Sequence, residues 1–340
     1  MSGGEAMRRK LAGLCALLLS ANLGAWIWAW AAFRHDPALL GMALLAYGLG
    51  LRHAVDADHI AAIDNVTRKL MQEGKRPAAV GLFFSLGHAS VVVLATLVLA
   101  AATSELKGRF ALAQSLGAVV GTAVSALVLL VLAVANSVIL VNLYRNLRRV
   151  KEGRPGAEEE SNPLLAGRGL LARLFRPLFG LVRHSRHMYP IGFLFGLGFD
   201  TASEITLLGL AAAQAAQGLS IWSILIFPAL FTAAMAWVDT ADGVLMLGAY
   251  GWAFATPVRK LYYNLAITAL SVAAALFVGG IEVLDLAVDR FALKGALWGW
   301  IGTLNGNFGT IGCALIGLCA ASWAISAAIH RARSYRRRDA

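Results

Sequence analysis

The sequence predicts an all-α integral membrane protein: a single polytopic domain over residues 1–340, with eight transmembrane helices and both the N- and C-termini cytoplasmic. Three observations carry this expectation. The 340 residues are 59% hydrophobic and only 14% charged, and the mean hydropathy is +0.67, too apolar for a water-soluble domain of this size. Apolar runs near the roughly 20 residues that one crossing needs recur eight times, at about 11–33, 38–64, 78–101, 113–144, 188–215, 220–248, 261–284 and 297–329. The connections between them alternate in charge. Positions 8–10, 68–76, 145–186, 259–260 and 331–338 hold 24 of the 30 Lys and Arg residues, whereas the alternate connections hold only Arg34, Lys107, Arg109, Arg290 and Lys294. By the positive-inside rule the basic set faces the cytoplasm. The formal charge of +11 does not imply nucleic acid as a partner, because the basic residues fall in short clusters between apolar runs.

The first run follows Arg8, Arg9 and Lys10. It exceeds the roughly 7–15 residues of a signal-peptide core and is read as a retained span. Bulky Leu14 before Cys15 argues against lipoprotein cleavage. The second run contains 51-LRHAVDADHIAAIDN-65, with Arg52, His53, Asp56, Asp58, His59 and Asp64. The third carries 84-FSLGHAS-90 with His88, and the fourth Asn136 and Asn142. The connection over 145–187 is the only long one and is expected to be a cytoplasmic loop. Its acidic patch Glu158–Glu160 and the turn at Pro155 and Gly156 precede a basic, apolar stretch at 170–187, either an interfacial amphipathic helix or a solvated segment. The fifth run holds 196-GLGFDTASEI-205 with Asp200 and Glu204, and the sixth 238-VDTADG-243 with Asp239 and Asp242. Cys15, Cys313 and Cys319 lack metal or disulfide spacing and are read as packing residues.

Ionisable groups inside a span cost about 2.5–3.5 kcal/mol each on insertion scales and call for a partner or a function. Of seven histidines only His53, His59 and His88 fall within predicted spans, and two of them alternate with aspartates. Imidazole suits first-row transition metals, whereas Mg²⁺ and Ca²⁺ prefer oxygen. Nearby carboxylates would neutralise a divalent ion while the ion offsets their burial. On a straight helix, with His53 at zero, Asp56 lies at about −60°, His59 at about −120° and Asp58 at about +140°. His53, Asp56 and His59 therefore share a face, and Asp58 joins them only if the helix bends, for which Gly48 and Gly50 provide an opportunity. Some of these carboxylates would orient histidines instead of touching the ion.

His53-x4-Asp58-His59 within RHAVDADHIAAIDNVTRKL resembles the signature of the nickel/cobalt transporter family (NiCoT). The resemblance extends through FFSLGHAS, LGFDTASEI and VDTADG, in order, over nearly the whole chain. It implies a secondary transporter, not an enzyme, that imports Ni²⁺ and/or Co²⁺ across a bacterial cytoplasmic (inner) membrane, with the ion as substrate, the lipid bilayer as surroundings and no cofactor. It implies that His53, Asp58 and His59 are central, and that His88, Asp200, Thr201, Ser203, Glu204, Asp239, Asp242 and, more weakly, Asn136 are functional positions. Thr201 and Ser203 could equally tie helices together. Ala89, Ala234 and Trp237 depart from the family pattern while leaving the charged positions intact.

No GxxxxGK[ST] phosphate loop is present. A membrane potential supplies roughly 4.6 kcal/mol per divalent ion per 100 mV, enough for an inward gradient above about a thousandfold. The alternatives are a transition-metal exporter and an integral-membrane metalloenzyme. The enzyme is disfavoured by the small number of membrane histidines and the lack of HExxH.

Overall fold

The computed structural model describes residues 3–101, most of 122–145, 182–197, 202–253 and 257–315, with a few isolated positions beside them. Among these residues there are helices and turns and no strand, as expected where lipid offers no partner for backbone groups. In chain order the elements are α1 (Gly3–Phe33), α2 (Pro37–Ala54), α3 (Ala57–Gln72) and α4 (Val80–Ala101), then α5 (Thr122–Arg145). After a 3₁₀ turn at Ser185–His187 come α6 (Met188–Gly196), α7 (Ala202–Ala216), the short α8 (Ile221–Ile224), α9 (Ile226–Ala253), α10 (Pro257–Phe291) and α11 (Ala296–Asn305).

Among the described residues five helical stretches are long and apolar enough to cross a membrane: α1, α4, α5, Ile221–Gly248 and Thr268–Phe291. A sixth arises if α2 and α3, bent by 53° at their junction, count as one span. The chain is a multi-pass membrane protein. Asp200, Thr201 and Asn142, and most of the expected loop at 145–187, lie outside the described residues. The described end of that loop turns inward: Val182 is buried, and its carbonyl accepts a hydrogen bond from Lys69 Nζ at 2.7 Å.

The helix starts follow local chemistry. Asp36 caps α2, its Oδ1 accepting from the backbone N–H of Ala38 at 3.0 Å and of Leu39 at 3.1 Å, with Pro37 in the first turn. These are two of the donors a helix start leaves free. Asp36→Ala is expected to lower stability by about 1 kcal/mol, read as an earlier thermal transition of the detergent-solubilised protein, with transport retained.

α9 lies at the centre, packed against α1, α2, α3 and α4, while α4 also packs on α6 and α7, and α10 on α3 and α11. One apolar cluster joins Ile63, Leu70, Phe84, Leu129, Met188 and Ile281. A second joins Phe33, Ala43, Ala46, Phe227 and Phe231. Between helices in lipid, where apolar burial gives no drive, association relies on close backbone approach and polar ties. Two glycine contacts show this. A Cβ on Gly81 would overlap the Asp239 carbonyl, so α4 and α9 meet backbone to backbone there. A Cβ on Gly87 would overlap the Tyr189 carbonyl, and one on Gly192 that of Phe84, a reciprocal pair between α4 and α6. Cys15 and Cys313 are exposed on helix surfaces, contrary to their reading as packing residues: an apolar run offers a thiol lipid as readily as protein.

Candidate metal centre

The polar residues of the second apolar run meet at the junction of α2 and α3. The bend falls at Val55–Asp56 and not at the glycines upstream. Gly50 is used for close approach to the Phe231 carbonyl, and a Cβ on Gly48 would meet only open space. At the junction Asp56 is extended (φ −66°, ψ 145°) and occupies the N-cap position of α3 without a capping hydrogen bond from its side chain. The Asp56 N–H turns back to the His53 carbonyl at 3.0 Å. The second half of the segment thus starts a new helix with Asp58 in its first turn, where negative charge is favoured. From the C-terminal side, Gly312 lies so close that a Cβ there would overlap the Val55 carbonyl.

Three imidazoles converge beside this break. His53 from α2, His59 from α3 and His88 from α4 are buried, and each offers a ring nitrogen within 4.8 Å of the others. His88 Nε2 lies 2.9 Å from His53 Nε2 and 2.7 Å from Glu204 Oε1 of α7. His59 Nδ1 lies 3.4 Å from Asp239 Oδ1 of α9, and His53 Nδ1 3.6 Å from Asp56 Oδ2. His59 Nε2, His88 Nδ1 and Asp239 Oδ2 are sealed from solvent and have no hydrogen-bond partner among the described residues. Phe84 stands edge-on to His59 at 4.8 Å, and Phe231 lies 5.3 Å from His53 between ring centres. An apolar wall thus closes part of the cluster. Imidazole nitrogens bound about 2.0–2.1 Å from one ion stand roughly 3–4 Å apart. The three histidines need only small rotations to share one.

The other expected positions divide into groups. Despite the bend, Asp58 points back into its own helix start, its Oδ1 accepting from the His59 backbone N–H at 2.9 Å, and it is not part of the three-histidine group. Arg52 Nη1 donates to Ser203 Oγ at 3.1 Å, tying α2 to α7 next to Glu204. Asn136 on α5 donates to Asn65 Oδ1, which also accepts from Arg68 Nη2 at 3.2 Å. Asp64 Oδ2 accepts from Ser271 Oγ of α10 at 2.5 Å. Asp242 is buried one turn further along α9 than Asp239, outside the imidazoles' hydrogen bonds. Asn65, Phe84, Phe231 and Ser271 were not singled out by sequence. An asparagine within the motif was a usable signal, whereas a lone serine in an apolar helix was not. A cleft of about 520 Å³ opens onto the break, lined by Arg52, Val55, Asn307 and Thr310 among others.

A helical bundle that crosses a membrane and buries an imidazole–carboxylate cluster at a broken helix has the make-up of a membrane protein that handles metal ions. Residues 39–329 match the family model described as NicO, high-affinity nickel-transport protein, and the chain belongs to that family. It is 56% identical over 328 residues to the high-affinity nickel transport protein of Cupriavidus necator, covering 96% of this chain and 93% of that one. It is 52% identical to the hydrogenase nickel incorporation protein HupN of Bradyrhizobium diazoefficiens, covering 92% and 82%. To the cobalt transport protein NhlF of Rhodococcus rhodochrous it is 42% identical, covering 93% and 91%. No solved structure matches.

Proposed function

We propose that the protein is a secondary transporter that imports Ni²⁺ and/or Co²⁺ across a bacterial cytoplasmic membrane, with eight spans and both termini inside. The ion is held by His53, His59 and His88. The single observation that carries this reading is the set of three buried ring nitrogens within 4.8 Å at a helix break; the names of the relatives supply the ion and the transport. Glu204, Asp239 and Asp56 orient the rings and balance charge, as carboxylates beside metal-binding histidines do. On loading, an ion takes the place of the protons shared among His53 Nε2, His88 Nε2 and Glu204 Oε1. Asp58 acts at the start of α3, where it fixes the backbone of His59, and Asp200 and Thr201 are further functional positions. The eighth span includes the helical residues 308–315.

The test is uptake of radioactive nickel by cells producing the protein. Excess Co²⁺ should compete, and Mg²⁺ and Ca²⁺ should not, because an imidazole site selects borderline transition ions over hard ones. The same cells should become more sensitive to toxic nickel or cobalt. Greater tolerance would reverse the direction of transport, and effective competition by Mg²⁺ would exclude the imidazole site.

A further inference from the structure

One to two turns along α3 from His59, a second polar group lies in the core. Asp64 and Asp242 are 5% and 6% exposed. Asp64 is engaged: its Oδ2 accepts from Ser271 Oγ at 2.5 Å, linking α3 to α10. Asp242 is different, because both its carboxylate oxygens are sealed from solvent and meet no hydrogen-bond partner among the described residues. The two acids lie at the contact of α3 with α9. A Cβ on Gly243, next to Asp242, would stand 3.5 Å from Ile63 Cγ2, next to Asp64. Asp239, one turn earlier on α9, faces His59. The α3–α9 contact therefore carries two levels, His59 with Asp239 and then Asp64 with Asp242, running toward the C-terminal end of α3.

A carboxylate buried in a membrane protein without a donor is costly, and a second one at the same helix contact repels it. A divalent cation between them removes both penalties. We propose that Asp64 and Asp242, together with Ser271 Oγ, form a second cation-binding station built from oxygen alone, which receives the transported ion from the three-histidine group. The inference rests on the reading of His53, His59 and His88 as the cargo site. Its chemistry gives the transfer a direction: oxygen ligands hold Ni²⁺ and Co²⁺ less selectively than imidazole does. The ion moves from a site that selects to one that lets go, while its double charge stays compensated.

The full chain, purified in detergent, is titrated with radioactive nickel by equilibrium dialysis alongside Asp242→Asn, Ser271→Ala and His59→Ala. Wild type should bind two ions per chain, one tightly and one weakly. Asp242→Asn should lose the weak ion and keep the tight one, which also reports a folded protein. Ser271→Ala should weaken the second site by about tenfold with the first unchanged. A wild type that binds one ion, an Asp242→Asn protein that keeps two, or the loss of both ions together in either variant would overturn the second station, and the first of these would leave protons as the occupants of the two acids. Failure of the underlying reading looks different: His59→Ala would still bind the tight ion.

Discussion

His59→Ala is expected to reduce nickel uptake by more than about a hundredfold while membrane-inserted protein stays near the wild-type level. Loss of an outer partner of a metal-binding histidine already costs about 10–100-fold, and this substitution removes a ring nitrogen that faces the cluster. His59 Nε2 is buried and has no hydrogen-bond partner among the described residues, so removing the ring breaks no hydrogen bond at that nitrogen; the cavity it leaves beside Phe84 lowers stability, which is why protein is measured alongside uptake. The imidazole's other nitrogen lies 3.4 Å from Asp239 Oδ1. Quantifying the protein in washed membranes, together with initial uptake rates, separates lost transport from lost protein. Normal uptake by His59→Ala would remove this residue from the site.

Gly81→Ala should have the second-largest effect, by a different route. A Cβ there would overlap the carbonyl and N–H of the Asp239–Thr240 peptide, and backbone on both sides leaves no flexible side chain to yield. α4 must move off α9, which carries His88 away from the cluster and Asp239 away from His59. Overpacking of this kind costs about 1–3 kcal/mol, and the displaced ligands should abolish most transport. Gly48→Ala on α2 supplies the contrast. A Cβ there meets open space, and replacing a mid-helix glycine by alanine stabilises by roughly 0.5–1 kcal/mol. Thermal transitions and uptake measured on both variants should move in opposite directions for stability, with transport lost only in Gly81→Ala.

Much of the site was legible because lipid makes ionisable groups conspicuous. His53, His59 and His88 stood out as the only histidines in apolar runs, and the structure brings these three together. The helical character followed from hydropathy alone. The position of the break was less legible. Glycines at 48 and 50 drew attention as points of weakness, yet the chain bends at Asp56, where an N-cap residue and a first-turn acid restart the helix. The triplet Asp56-Ala57-Asp58 carries that signal, but it reads equally well as a row of metal ligands. A straight-helix projection cannot tell a capping carboxylate from a coordinating one: Asp58 stands in the first turn of α3 with Oδ1 on the His59 backbone amide. Tertiary pairings were not legible: nothing in the apolar sequence of α10 marks Ser271 as the partner of Asp64.

The central claim is that the cargo ion is held by imidazole nitrogen from three helices. X-ray absorption at the nickel edge of the purified protein, loaded with one equivalent of Ni²⁺, tests this most directly. The spectrum should show the multiple-scattering pattern of several imidazole rings on the ion, weakening stepwise in His53→Ala, His59→Ala and His88→Ala. A shell of oxygen alone, unchanged in those variants, would contradict the account.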